Sequence, residues 1–460
     1  MISQISGRWL YLPVEVRVRE FDARLLLGCC AVERGYNVII GKKNALTRTY
    51  PILPRGIILE RSLSRFRELE FDKLVKKGFR LTATDEEGIY FYTHPDGALQ
   101  QRLSEKNLNM SDWYFSWSKK QAEIINKAYP ESSKKNLVIG TYRNDLYHPS
   151  FHVIWENQVN NLKEKHGRFI LLPSNFWGVL NSHGGKEYLL WQLQHQQAIT
   201  SESELERHKR ELDHEEQALT AYLAVLKNIQ EAFPEHKLIV RPHPGEDFNK
   251  WMNMAKKIPG ILVIHEGPVT PWLIAADVVF HHGCTTGVES YLLGTPAIAY
   301  HPCYSQEFDT HLSTLIGPVA KTPAELIDYL QMAIDGRTLP RDDLSWFEEY
   351  LVVPDDSYIS DRMIDYFDKI NIPADRSTSI DRIPSKIKFL FDLMLTKYSR
   401  RIKRLKGIKI EPTIATQKFG YMTDVDVSET IKKFNNATGR FSGIKVKKLQ
   451  GQLFQLTAKV

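Results

Sequence analysis

Cysteine is scarce, four in 460 residues, which excludes a disulfide framework. Cys29 and Cys30 are adjacent, as suits the interior of a buried helix, and Cys284 and Cys303 have no partners at metal-ligand spacing. A reduced, cytoplasmic setting is expected. Long apolar runs are missing as well. No stretch reaches the roughly 18 consecutive apolar residues of a membrane span. The opening MISQISGRWLYLPVEV has no basic segment leading into an apolar one, so no signal peptide is expected there. Internal repeats and low-complexity runs are absent, and no nucleic-acid partner is expected.

What is present is an ordinary globular balance, 42% hydrophobic and 25% charged, in a chain long enough for two or three domains. The net charge of +6 is unevenly spread. Lys386 to Lys409 carries nine basic residues against the single acid Asp392. Apolar Ile387, Leu390, Phe391, Met394 and Leu395 recur there at helical spacing. Such a helix suits peripheral contact with an anionic inner-membrane surface, or packs on a core with a solvated basic face.

Strand-like and helix-like stretches alternate from the start. WLYLPVEV, a helix from Glu20 to Gly35, and YNVIIG make a βαβ unit, hence a parallel sheet. GIILE, a helix from Phe66 to Lys77, RLTATDEEG, WYFSWS, a helix from Lys119 to Ala128 and NLVIG continue the pattern. A second series starts at RFILLPSNF and runs through a long charged helix, about Glu202 to Phe233. KLIVRPHP, ILVIHEG, VVFHHG, a helix from about Thr286 and PAIAY complete it. The expected fold is α/β, with Rossmann-like domains over residues 1–165 and 166–334. Bracing and basic helices would fill 335–410, and a polar, weakly patterned tail 411–460. Two tandem Rossmann-like domains imply a cleft between strand ends, where open α/β sheets bind ligands.

Three clusters sit at such strand ends. In RPHP, Arg241 and His243 emerge between Pro242 and Pro244, which limit the backbone entropy of presenting them. Both side chains suit phosphate oxygens, although a proline-rich turn with a capping His has the same sequence. In HHGCTTGVESYLLGTP, Gly283 permits a sharp bend and Thr285 and Thr286 open a helix, a natural anion site. A capping box from Thr286 to Glu289 is compatible with it. His281 and His282 point to opposite faces, so one is expected to be buried. In TATDEEGIY, Asp85, Glu86 and Glu87 follow a strand. A carboxylate there serves as general base or nucleophile, or the turn is simply solvated.

In these motifs the chain resembles the GT-B glycosyltransferases of bacterial surface carbohydrates, capsule and lipopolysaccharide. It is similar in particular to transferases of CMP-activated nonulosonic acids (sialic, pseudaminic, legionaminic) and of Kdo. The family's acid-acid-Gly, His-Pro and Ser-Ser/Thr motifs have counterparts in Glu86-Glu87-Gly88, His243-Pro244 and Thr285-Thr286. They occur in the same order over Trp9 to Ile334. Thr-Thr departs from the Ser-first pair but keeps hydroxyl and backbone donors.

The resemblance implies a glycosyltransferase of the GT-B fold with a nucleotide-sugar donor, a glycan or glycolipid acceptor, no cofactor and no bound metal. Glu87 would be the catalytic carboxylate, and His243, Thr285 and Thr286 would hold the donor phosphate. Softer candidates are Ser174, Asn175 and Glu266 for the nucleotide, and Arg19, Glu20 and Arg143 for substrate, with Asp22 and Asp145 near them. Asp424 to Asp426 looks like a D-x-D metal signature but lies in the tail. A UDP-sugar or CDP-polyol donor, an epimerase of the same fold, and a non-catalytic nucleotide-binding scaffold of capsule assembly are the alternatives.

Overall fold

The computed structural model describes residues 7–88, 99, 101–195, 199, 201–309, 312–340, 346–353, 357–373 and 419–459. The basic segment from Lys386 to Lys409 lies outside these. The chain divides into two compact units. One holds residues up to Leu146 together with those from Glu349 onward, and the other spans Tyr147 to Glu348.

The first unit starts as the βαβ pattern requires. β1 (Arg8–Val14) and β2 (Tyr36–Lys42) pair in parallel, Leu12 opposite Ile40. The crossover is the helix Arg17–Glu33, in which Leu25, Leu26, Leu27, Cys29 and Cys30 are all buried. β3 (Ile57–Glu60), β4 (Arg80–Ala83), β5 (Trp113–Ser116) and β6 (Asn136–Val138) extend the sheet in parallel.

The second unit builds its own parallel sheet from β7 (Phe169–Pro173), β8 (Lys237–Arg241), β9 (Ile261–Val263), β10 (Val278–His281), β11 (Ala297–Tyr300) and β12 (Val319–Ala320), in the order β12-β11-β10-β7-β8-β9. Counted from β7, that is the doubly wound 3-2-1-4-5-6 order of a dinucleotide-binding fold. Its core packs Leu172, Val240, Phe280 and Ile298 of the sheet against Leu219, Tyr222 and Leu226 of the long helix Glu202–Ala232. Two Rossmann-like parallel sheets in one chain are the components of the expected GT-B class.

The expected boundaries need correction. Residues 147–165 belong with the second unit, where the helix Glu156–His166 sets His166 against Trp272 at 5.5 Å. From Phe419 to Lys459 the tail has regular structure. β13 (Ile444–Lys448) and β14 (Leu453–Ala458) form a hairpin, and β14 pairs antiparallel with β2, Leu456 opposite Val38. Its buried Phe454 and Leu456 cover the helix Arg17–Glu33, where Leu456 meets Gly28. The full sheet order is therefore β13-β14-β2-β1-β3-β4-β5-β6. Asp424 and Asp426 open the helix Asp424–Thr438, and Asp426 closes a capping box with Thr423. Their spacing reflects helix capping.

Asp145 is a cap as well. Its carboxylate accepts the backbone N–H groups of Ile359 and Ser360, at 2.7 and 2.9 Å, and the Ser360 hydroxyl at 2.6 Å. It thereby seats the start of the helix Ile359–Asp368, which returns the chain to the first unit. Asp145→Ala leaves those buried donors unserved and is expected to cost about 1–3 kcal/mol. Faster hydrogen exchange along that helix, with the second unit unchanged, is the readout. Unchanged exchange would assign the seating to packing alone.

Candidate functional site

The acidic turn after β4 separates its three carboxylates by environment. Glu86 is fully buried and bound by Arg24, whose Nη2 donates at 2.8 Å. The Tyr142 hydroxyl donates to the same Glu86 oxygen. Burial opposes the Glu86 charge, but Arg24, Arg143, Arg61 and Tyr142 outweigh it and hold the carboxyl below its ordinary range. Asp85 is also buried, accepts the Glu87 N–H at 2.7 Å and pairs with Arg102 at 2.8 Å. Burial dominates there and pushes its carboxyl up to about 6. Glu87 alone is partly open, 40% exposed, held by Arg19 at 2.9 Å and by Arg102. Trp117 lies over the turn, donating from Nε1 to the Asp85 carbonyl at 2.6 Å. A Cβ on Gly88 would stand 2.5 Å from that indole, so the glycine is required by close approach. Asp85 and Glu86 are thus buried and paired with arginines inside the fold, and Glu87 is the acid of the turn that reaches solvent.

The softer candidates around it sort the same way. Glu20 is buried, accepts the N–H groups of Glu15 and Val16 at 2.9 and 3.2 Å, and pairs with Arg61. That makes it part of the helix start, with no surface for substrate. Arg19 is spoken for by Glu87, and Arg143 donates to the Glu86 carbonyl at 3.2 Å. Burial pushes the Asp22 carboxyl up, and Arg17 and Lys433 oppose that shift.

In the second unit three loops leave the carboxyl edge of adjacent strands β10, β7 and β8. The strand order reverses between β7 and β10, the position at which doubly wound sheets open a ligand crevice. After β7 come Ser174 and Asn175. After β8 come His243 and Pro244, both exposed. After β10 comes Gly283, with φ +63, then the helix Thr285–Leu292.

Glu246 ties two of these loops together. It is buried and accepts the Ser174 hydroxyl at 2.5 Å, the His243 N–H at 2.9 Å, the Trp251 indole N–H at 2.8 Å and the Phe176 N–H. Burial pushes its carboxyl up despite those donors. Nothing in local spacing marks this residue. Nδ1 of His243 accepts the Gly245 N–H at 3.1 Å, so the neutral ring carries its proton on Nε2 as a donor.

At β10 the cap of the helix is Cys284, not Thr286, and the expected capping box does not form. The Thr286 hydroxyl contacts Cys284 Sγ, while Thr285 is exposed at the first turn. His281 is the buried member of its pair, with Gly287 packed so closely that a Cβ would lie 2.4 Å from its Nε2.

Arg241 is buried and turned inward. Its guanidinium donates to the carbonyls of Glu266, at 2.8 Å, and Gly267, and lies over Trp272 at 5.5 Å. It braces the loop after β9. The Glu266 carbonyl also accepts from Trp272 at 3.0 Å, and its carboxylate is exposed, 3.8 Å from Lys165. Two of the Arg241 donors are thus turned to inner carbonyls, while the Glu266 side chain stays exposed.

No family model and no curated protein matches the sequence. Among solved structures, the chain is similar to the Methanocaldococcus jannaschii UDP-GlcNAc 2-epimerase in complex with UDP-GlcNAc and UDP, with 11% identity and TM-score 0.47 over 79% of this chain and 100% of that one. It is similar to the Neisseria meningitidis UDP-GlcNAc 2-epimerase bound to UDP-GlcNAc, with 10% identity and TM-score 0.46 over 79% and 100%. It is also similar to Anabaena HepE in complex with UDP-glucose, with 9% identity and TM-score 0.36 over 85% and 100%. These are likenesses of fold, and the chemistry in those names belongs to those proteins.

Proposed function

We propose that the chain is a nucleotide-sugar enzyme of surface-carbohydrate synthesis, a glycosyltransferase whose second unit holds the donor phosphate. The observation that supports it is the convergence of the Ser174, His243 and Thr285 loops at the strand-order reversal, two of them fixed by one buried carboxylate. A phosphate at the start of the helix Thr285–Leu292 meets backbone N–H groups at the positive end of the helix dipole. The imidazole Nε2–H from the neighbouring loop adds a donor. Donors held in place before reaction stabilise the charge that grows on a departing phosphate. Glu87 is proposed as the catalytic carboxylate of the first unit, as base or nucleophile.

The finer form of the proposal is a CMP-linked acidic sugar as donor, supported by the order of the three motifs. A thermal-shift series with CMP, CDP, UDP and GDP, without added metal, tests it, because a ligand of the folded state raises the melting temperature. CMP is expected to give the largest rise. His243→Ala is expected to weaken that nucleotide by roughly tenfold, the worth of one good hydrogen bond. Protection by UDP alone would replace the donor and keep the enzyme class. Protection by none of the four would remove the nucleotide from the proposal.

A further inference from the structure

Four side chains of the second unit converge behind the Gly283–Thr286 loop. His214 comes from the middle of the long helix Glu202–Ala232, and His282 and His301 directly follow β10 and β11. Asp309 comes from the loop after β11. His214 Nε2 lies 2.8 Å from Asp309 Oδ2. His282 Nε2 and His301 Nδ1 lie 3.7 and 3.5 Å from Asp309 Oδ1. Ligand atoms of His214, His282 and Asp309 all fall within 4.8 Å of one another. Zinc binds nitrogen and oxygen at about 2.0–2.2 Å, so tetrahedral ligand atoms stand about 3.3 Å apart. The nitrogen-to-oxygen separations lie on both sides of that value, and His301, outside the three-residue group, would have to turn in to complete four ligands.

His301 supplies an independent observation. It is 1% exposed, and its buried Nδ1 faces Asp309 Oδ1 at 3.5 Å without the geometry of a good hydrogen bond. Its Nε2 sits 3.0 Å from the Thr314 hydroxyl. Donation from Nε2–H to Thr314 leaves the lone pair on Nδ1, the atom beside Asp309. An outer hydrogen bond of that kind is what fixes the tautomer and orientation of metal-bound imidazoles. Aromatic rings enclose the group: Phe176 stacks on His282 at 5.3 Å, Tyr222 meets His282 edge-on at 5.7 Å, and Phe308 lies 5.6 Å from His214.

We propose that His214, His282, His301 and Asp309 bind one divalent cation of the zinc class. Four protein ligands complete a tetrahedron and leave no open position, so the site is structural. It would pin the ends of β10 and β11 to the long helix, and with them the strand end from which the Gly283–Thr286 loop departs. Local sequence spacing gives no sign of it, since the ligands are spread from position 214 to 309.

The test uses the full chain purified without chelator. Elemental analysis is expected to find about one zinc per chain. Chelator-stripped protein titrated with cobalt(II) is expected to show the visible bands of a tetrahedral nitrogen–oxygen site, with no sulfur charge-transfer band. His301→Ala and His214→Gln should each weaken cobalt binding by about a hundredfold or more. Should either variant fail to fold, Thr314→Val keeps every ligand and is expected to weaken binding about ten- to a hundredfold. Three results overturn the proposal: no bound zinc and no cobalt spectrum in a chain that circular dichroism shows to be folded, a sulfur charge-transfer band, or undiminished binding in the folded variants. None of these measurements involves a nucleotide, so they stand or fall apart from the proposed function.

Discussion

Glu87→Gln is expected to slow turnover by roughly two to four orders of magnitude, the usual range for a lost general acid or base. The substrate is whichever nucleotide sugar carries the nucleotide that stabilises the folded chain. Nucleotide affinity should change little, because the proposed phosphate donors His243, Thr285 and Thr286 belong to the other unit. Thermal stability should fall by less than about 1 kcal/mol, since the Glu87 pairs with Arg19 and Arg102 are part-exposed and screened. The argument is positional. Of three consecutive acids at a sheet's carboxyl edge, only Glu87 reaches solvent, while the two arginines fix its orientation. Gln keeps the size and removes the charge. Full activity of the variant would move the chemistry away from the acidic turn and favour a nucleotide-binding scaffold.

What the sequence shows about this chain follows the range of the interactions involved. The helix Lys119–Ala128 and the long helix ending at Ala232 are legible because apolar periodicity and capping signals are local. So are the strand ends and the bend at Gly283. Glu246 is not legible, because it joins Ser174 and Trp251, and only folding brings β7 beside β8. Arg241 was expected to face a phosphate on residue type alone, yet β8 is buried through its last residue, so its side chain turns to inner carbonyls. The closing hairpin left a signal in IKVKK, Gly451 and LFQLTA, whose alternation marks strands. That signal is weak because the outer strand β13 is polar on one face.

Arg24→Met is expected to destabilise the first unit by about 3–5 kcal/mol, the cost of leaving a buried charge without its partner. Arg24 is fully buried inside the helix Arg17–Glu33 and holds two groups at once. It donates to Glu86 from Nη2 at 2.8 Å and from Nε at 3.3 Å, and to the Leu59 carbonyl from Nη1 at 2.8 Å. Methionine fills similar volume but leaves the Glu86 carboxylate hydrogen-bonded to Tyr142, with the charges of Arg143 and Arg61 nearby in place of its buried ion pair. Hydrogen exchange along the helix Arg17–Glu33 and β4 should quicken roughly a hundred- to several-thousandfold, while the second unit stays protected. Arg24→Met with Glu86→Gln removes both charges and should cost less than the two single changes added together, a coupling that a double-mutant cycle measures directly. Additive costs would mean that Arg24 acts through Leu59 and packing, with the ion pair contributing nothing. The comparison with Glu87→Gln then separates neighbouring acids: losing the partner of Glu86 loosens the fold, whereas losing the Glu87 charge is expected to slow the chemistry and leave the fold nearly intact.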